Sequence, residues 1–233
     1  LLQHRLGIPD HCGAFDFNLG CSGFVYGLSM AKGLIETDQA KHVLLLTAET
    51  YSKFIHPQDG AARAIFGDAA TATLIASEHV ERDGLGSFVF GTDGSGGDDI
   101  IVPVGGMRNP AVTCPSVETV DAAGNIRTNH NFYMNGRSVI SFAQAVAPDA
   151  LRKVLKKAGL KREEIDYYVF HQANRFMLES LQHKCKLQGL PFWNKPDLCG
   201  NTVSSTIPLA LEEILSTVGA ARLKKVVALG FGV

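Results

Sequence analysis

The sequence has no long hydrophobic run and no strong net charge. No apolar stretch approaches the ~18 residues that suggest a membrane-spanning helix, and no signal peptide is visible. The formal net charge of the 233 residues is -1, which gives no support to a general nucleic-acid or membrane-surface binder. We therefore expect a protein whose partners include neither a nucleic acid nor a membrane.

The cysteines form no recognisable pair. There are five of them, an odd number without a CxxC motif, which argues against both a zinc site and a disulfide framework. A reducing, cytoplasmic setting suits such a set best. We therefore expect no metal site in this chain. The cysteines are Cys12, Cys21, Cys114, Cys185 and Cys199.

The chain also lacks an initiator methionine. It begins at Leu1 and ends with residues 230–233, in the middle of a glycine-rich turn. Its composition, with 45% hydrophobic and 19% charged residues, suffices for one large domain or two small ones. We expect both ends to have been cut from something longer.

Residues 15–28 are the most informative stretch. Their pattern predicts a short strand, a tight turn at Gly20 and a helix over 22–36, with Cys21 at or just before the first helical turn. Unpaired N–H groups and the helix dipole stabilise negative charge there, so we expect a lowered thiol pKa and a nucleophile. The alternative is a small buried hydrophobic residue, the usual role of a lone cysteine in an apolar run.

Strands and helices alternate along the rest of the chain, which predicts a layered α/β architecture. The apolar run 41–49 predicts a buried strand with helices on both sides. Residues 98–135, rich in Gly, Pro, Asn and Thr, predict a loop or lid between two halves, 1–97 and 136–233. Further strands are predicted over 69–76, 86–92, 165–170 and 225–229. Further helices are predicted over 136–158, 174–188 and 205–218, and we expect Pro148 to kink or split the first of these.

Two more stretches contain residues suited to catalysis. His171 follows a predicted strand and precedes Gln172-Ala173-Asn174, where an imidazole can act as a base or donor near a thiolate. Asn201 lies between Gly200 and Thr202 in a predicted turn. Each is weak alone, because most histidines serve packing or the surface, and Asn is a common turn residue.

Taken together, the three stretches resemble the ketoacyl-ACP synthase III group of thiolase-fold condensing enzymes. Cys21 after a small-residue run, His171 in His-Gln-Ala-Asn, and Asn201 in Gly-Asn-Thr match that group in order, and the thirty-residue step from His171 to Asn201 is the family's spacing. Residues 65–68, 93–95, 134–137 and 230–232 also match.

The resemblance implies a fold. It consists of two similar halves, each a mixed five-stranded sheet with helices, packed around a buried site. The family's opening βαβα segment is absent, so the N-terminal half is expected to be incomplete here.

The resemblance also implies an activity in fatty-acid or polyketide biosynthesis. Cys21 takes an acyl group from acyl-CoA, and a malonyl thioester, typically on acyl carrier protein, then loses CO2 and attacks that group to form a β-ketoacyl thioester. His171 and Asn201 stabilise the oxygen that becomes negative, and the backbone N–H groups of Cys21 and Val233 form a second oxyanion hole. The reaction needs no metal or redox cofactor.

Further roles follow from the same resemblance. Met134, Arg137, Asn174 and Phe231 are expected along the substrate and CoA channel, and a homodimer is expected. The family's carrier-docking arginine has its counterpart in Arg175, which stands one residue early.

Three other functions stay open at this point. One is transfer of the Cys21-bound acyl group to an alcohol or amine, which would use the same residues. The others are a degenerate partner subunit without activity, and a cysteine hydrolase in which His171 acts as a base on Cys21.

Overall fold

Helices and strands alternate in both halves of the chain. The structure is a computed structural model that describes residues 1–77 and 84–232. The α-helices are α1 (Leu2–Arg5), α2 (Gly23–Glu36), α3 (Gly60–Arg63), α4 (Gly136–Ala158), α5 (Arg175–Lys184) and α6 (Thr206–Val218). The strands are β1 (His42–Glu49), β2 (Ala69–Ala76), β3 (Ile100–Ile101), β4 (Glu118–Val120), β5 (Ile126–Thr128), β6 (Tyr133–Met134), β7 (Tyr167–Phe170) and β8 (Val226–Leu229).

The N-terminal half is built on an antiparallel pair, β1 and β2, covered on one face by α2. A Cβ at Gly27 would lie 2.6 Å from a Leu45 methyl carbon, so only glycine lets the helix approach the strand this closely. Leu45 and Thr47 are buried, whereas Leu44 and Leu46 are exposed. The expectation of a strand buried on both faces is therefore wrong, because α2 covers only one face of the pair.

The C-terminal half is built on β7, which pairs in parallel with β8. Successive side chains of a strand point to opposite faces, and here both faces are buried. Tyr168 and Phe170 pack against α4 and α5, while Val169 packs on the other side with Ile207 and Ile214 of α6. The continuous apolar run in the sequence thus corresponds to a strand between two helical layers.

One apolar cluster joins the two halves. Phe24 of α2 and Leu45 of β1 pack in the same cluster as Val169 and Ile207. Within the described ranges, the sheet formed by β1 and β2 and the sheet formed by β7 and β8 have two strands each. The resemblance implies a sheet of five strands in each half.

Most of the predicted elements are present, with four differences. Residues 15–19 and 86–92 form no strand, since neither segment pairs with a described strand. Phe17 instead packs against α2, and Phe90 lies 4.5 Å from the ring of Tyr26, measured between ring centroids. Helix α4 continues through Pro148, so the helix is not split there, and α5 ends at Lys184, four residues early.

Residues 98–135 contain more structure than a plain loop. They hold the antiparallel pairs β3–β6 and β4–β5. Phe132 is buried against the rings of Tyr51 and Phe66. The division of the chain into 1–97, 98–135 and 136–233 stays a prediction. Among the helices of the described ranges, none combines the length and hydrophobicity that crossing a membrane requires.

Candidate active site

One cavity collects the ends of several elements. It has a volume of about 130 Å³ and lies where the segment before α2, the ends of β7 and β8, and the turn before α6 meet. Sites in layered α/β folds commonly lie at such strand ends. Cys21, His171 and Asn201 all line it. The remaining lining residues are mostly apolar: Tyr51, Ile65, Phe66, Ile100, Met134, Gly136, Val139, Ile140, Ala173, Asn174, Met177, Phe231 and Gly232.

Cys21 lies two residues before α2, as predicted, and under the glycine-rich segment that follows β8. A Cβ at Gly232 would lie 3.1 Å from the Cys21 sulfur and 2.9 Å from its Cβ. The φ angle of Gly232 is +127°, which also favours glycine. Glycine at this position therefore lets the chain pass directly over the sulfur.

The acidity of the thiol differs from the prediction. Burial raises the pKa of Cys21 to about 12, with a further increase from the Glu49 carboxylate, and a hydrogen bond to the backbone only partly opposes them. The prediction of a lowered pKa is therefore wrong. The stabilisation of negative charge at the helix start does not outweigh the desolvation of the thiol, which favours its neutral form. The resting site holds a neutral thiol that must lose its proton before it can act as a nucleophile.

His171 is the first residue after β7, and its ring is held firmly. Its backbone N–H donates to the Leu229 carbonyl over 2.8 Å, which ties the ends of β7 and β8 together. The ring meets Phe231 edge to face with centroids 5.6 Å apart. Burial lowers the pKa of His171 to about 4, and a hydrogen bond with the Val203 backbone partly opposes that shift. The imidazole is therefore neutral at physiological pH.

Asn201 is fixed by both its backbone and its side chain. Its N–H donates to the Ile65 carbonyl over 2.8 Å, and its carbonyl accepts from the Gly67 N–H over 3.0 Å. Its Oδ1 lies 2.9 Å from the Val203 backbone nitrogen. Because a backbone N–H can only donate, the side-chain oxygen occupies that position. The amide nitrogen, with its two hydrogens, is left to serve a ligand.

The turn that holds Asn201 is strained. Val203 has a φ angle of +55°, a conformation that is rare for a residue branched at Cβ. Such conformations cost of order 1–3 kcal/mol and persist where the surrounding structure imposes them. Here the strained residue supplies the N–H that orients the Asn201 amide.

The other predicted site residues fall in several places. Met134, Asn174 and Phe231 line the cavity. Asn174 also caps α5, because its Oδ1 accepts from the Met177 N–H over 2.8 Å. Arg137, however, is exposed in the first turn of α4 and is not among the lining residues, because the inner face of that turn carries Gly136 and Val139.

Two more predicted residues concern docking and the oxyanion hole. Arg175 is exposed and forms an ion pair with Asp197. Val233 lies outside the described residues, so the part of the second oxyanion hole assigned to it stays a prediction.

Sequence reasoning missed Tyr51 and Glu49. Tyr51 lines the cavity, and burial, together with the nearby Cys21 and Glu49, raises the pKa of its hydroxyl to about 12. Glu49 accepts a hydrogen bond from the Ser204 hydroxyl over 2.7 Å. Both residues lie at the end of the predicted strand 41–49. Sites in layered α/β folds commonly lie at strand ends, so this position in the sequence could have identified them.

Two family models match this chain. The model described as 3-oxoacyl-[acyl-carrier-protein (ACP)] synthase III matches residues 15–94. Its C-terminal counterpart matches residues 155–233. The first includes Cys21, and the second includes His171 and Asn201.

Curated proteins and solved structures of similar sequence support the same assignment. The beta-ketoacyl-[acyl-carrier-protein] synthase III of Caldanaerobacter subterraneus subsp. tengcongensis is 37% identical over 91% of this chain and 61% of its own length. That of Natranaerobius thermophilus is 35% identical over 100% of this chain and 68% of its own length. A crystal structure of a 3-oxoacyl-(acyl-carrier-protein) synthase III has a TM-score of 0.96 and 53% identity, over 100% of this chain and 69% of that one.

The chain thus spans about two thirds of the length of these relatives. The close superposition confirms the expected thiolase-like α/β fold. The family resemblance seen in the three motifs is confirmed as well, and the chain belongs to the 3-oxoacyl-[acyl-carrier-protein] synthase III family.

Proposed function

We propose that this site forms a β-ketoacyl thioester by decarboxylative Claisen condensation, in fatty-acid or polyketide biosynthesis. The observation that carries the proposal is the common cavity of Cys21, His171 and Asn201. It combines a thiol, a neutral imidazole and an oriented amide within mostly apolar walls. A buried apolar site strengthens hydrogen bonds to a developing negative charge.

The first step loads an acyl group on Cys21. The thiol transfers its proton to His171 as the sulfur attacks the carbonyl carbon of acyl-CoA. The new S–C bond replaces the bond to the CoA sulfur, and CoA leaves as the thiol with the transferred proton. The Cys21 backbone N–H, and that of Val233, are the donors assigned to the oxyanion of this step.

The second step uses the imidazole and the amide as hydrogen-bond donors. The malonyl thioester loses CO2, and the electron pair of the broken C–C bond moves onto the thioester oxygen. The Asn201 amide nitrogen and a protonated His171 ring nitrogen stabilise that charge. The enolate carbon then attacks the acyl carbon, and the Cys21 thiolate leaves and takes a proton from water. Neither step calls for a metal or a redox cofactor.

Several features of the complete protein belong to the same proposal. The substrates are acyl-CoA and a malonyl group on acyl carrier protein or CoA, admitted past Met134, Asn174 and Phe231. Arg175 serves carrier docking, since it is exposed and basic. We place the enzyme in the cytoplasm as a homodimer. The five cysteines are free, in keeping with a reducing compartment.

Mass spectrometry with sequential substrates tests the function. Incubation with acyl-CoA alone should add one acyl group at Cys21, and subsequent malonyl thioester should remove it and yield a β-ketoacyl thioester. Acylation that is discharged only by an alcohol or amine would instead support the alternative transferase. Failure of Cys21 to become acylated would overturn the proposal and leave a hydrolase or a binding subunit.

A further inference from the structure

The Thr206 hydroxyl lies between the catalytic imidazole and a backbone carbonyl. Its oxygen is 2.7 Å from His171 Nδ1 and 3.0 Å from the Val203 carbonyl oxygen. Thr206 is the first residue of α6 and is 3% exposed. A hydroxyl has only one hydrogen, so it can donate to one of these two neighbours at a time.

The two positions of that hydrogen select different imidazole tautomers. When Thr206 donates to the Val203 carbonyl, its oxygen accepts from His171 Nδ1–H, and Nε2 carries a free electron pair. When Thr206 donates to Nδ1, that nitrogen is unprotonated and Nε2 carries the hydrogen. The tautomer of a neutral histidine is set by the partner of the other ring nitrogen.

We propose that Thr206 is a positioning residue that lets His171 exchange tautomers between the two half-reactions. This inference depends on the condensing function proposed above. With the hydroxyl turned to Val203, Nε2 accepts the Cys21 proton during acyl loading. With the hydroxyl turned to Nδ1, Nε2–H donates to the malonyl thioester oxygen during decarboxylation. One side chain therefore serves as base and then as donor.

The proton balance of the exchange is simple. During loading, Nε2 takes the thiol proton and passes it to the leaving CoA, so His171 ends neutral. The change of tautomer then releases the Nδ1 proton to water and takes one proton from water at Nε2. Charge and proton number are unchanged, and the hydroxyl rotates about its C–O bond. No oxidant or reductant takes part.

Val203 connects this exchange to Asn201. Its N–H holds the Asn201 side-chain oxygen over 2.9 Å, and its carbonyl is the second acceptor for Thr206. Its strained φ angle of +55° presents both groups within one turn. Val203 thus orients the Asn201 amide through its N–H, and its carbonyl accepts the Thr206 hydrogen when that hydroxyl is turned away from His171.

Replacing the hydroxyl by a methyl group tests the proposal. In Thr206→Val no hydroxyl is left to donate to Nδ1, so the tautomer that carries its hydrogen on Nε2 loses its hydrogen-bond donor. Nε2 then keeps its free electron pair and can accept but not donate. We expect acyl loading within about threefold of the wild-type rate, and decarboxylation lowered about a hundredfold, the usual loss for one oxyanion donor. Thr206→Ser keeps a hydroxyl at this position, so we expect both of its rates to lie within about threefold of the wild-type rates.

Heteronuclear NMR of the imidazole nitrogens gives a readout that is independent of turnover. We expect His171 in the wild-type protein to show nitrogen shifts between those of the two pure tautomers. In Thr206→Val we expect the pure Nδ1–H form. The wild-type spectrum also tests the proposal if the valine variant fails to fold, because a single tautomer there would overturn it.

The outcomes separate this proposal from the function on which it depends. If the wild-type protein makes no β-ketoacyl product, the proposed function fails, while the wild-type spectrum still reports the tautomers. If it condenses and Thr206→Val slows both half-reactions equally, or neither, only the role of Thr206 is refuted.

Discussion

At the scale of single residues, the environment of Cys21 matters more than its place in the sequence. The motif placed the sulfur correctly, just before α2 and in one cavity with His171 and Asn201. The direction of its pKa shift could not be predicted, since desolvation comes from chain segments far away in sequence, such as the one around Gly232. A local pattern reports the helix start but not the burial.

The raised pKa of Cys21 gives a pH dependence that can be measured. With a pKa of about 12, the thiolate fraction is small at neutral pH and grows tenfold with each pH unit. We expect the rate of Cys21 alkylation by iodoacetamide, followed by peptide mapping, to rise continuously from about pH 7 to pH 9. A plateau within that interval would reveal an ion pair with the imidazole and contradict a neutral resting thiol. Exposed Cys12 serves as the internal control for reagent reactivity.

At the scale of elements, periodicity predicted the bounds of several helices and strands that bury one face. Helices α2 and α4 and strand β2 match their predicted ranges almost residue for residue. The failures at 15–19 and 86–92 have a common cause, because a strand needs a hydrogen-bonding partner that a local pattern does not specify. In these two segments the apolar residues that suggested a strand include Phe17 and Phe90, whose rings pack against α2 without any strand pairing.

The glycine-rich segment after β8 provides a test at this scale. In Gly232→Ala the new Cβ would meet the Cys21 sulfur at 3.1 Å in a backbone conformation that alanine rarely adopts. We expect acyl loading to fall at least about tenfold and stability to fall by about 1–3 kcal/mol, measured by mass spectrometry and denaturant unfolding.

The matched control is Gly159→Ala at the end of α4. Gly159 has a φ angle of +67°, and an alanine methyl group there would meet no other part of the described chain within 4 Å. It is also not among the residues that line the cavity. The variant should lose roughly 1 kcal/mol of stability from the left-handed conformation, with normal loading. Equal loading by both variants would show that the segment after β8 does not constrain the sulfur.

At the scale of the whole molecule, the site depends on contacts between distant parts of the chain. The apolar cluster around Val169 includes Phe24 and Leu45 from the N-terminal half. Phe132, from the segment expected to form a lid, is buried against Tyr51 and Phe66, which themselves line the cavity. The sequence motifs predicted the three side chains that share the cavity, but these supporting contacts, like Thr206, carry no local signal.

The roles proposed for the three side chains can be tested by removing the Cys21 thiol and retaining His171 and Asn201. Cys21→Ala cannot be acylated, but it keeps His171 and Asn201 in place. The measurement is release of CO2 from malonyl thioester by Cys21→Ala and by the double variant Cys21→Ala/Asn201→Ala. We expect the single variant to release CO2 with formation of the acetyl thioester, and the double variant to be slower by about a hundredfold. Equal rates would contradict the assignment of the Asn201 amide as a donor to the developing oxyanion.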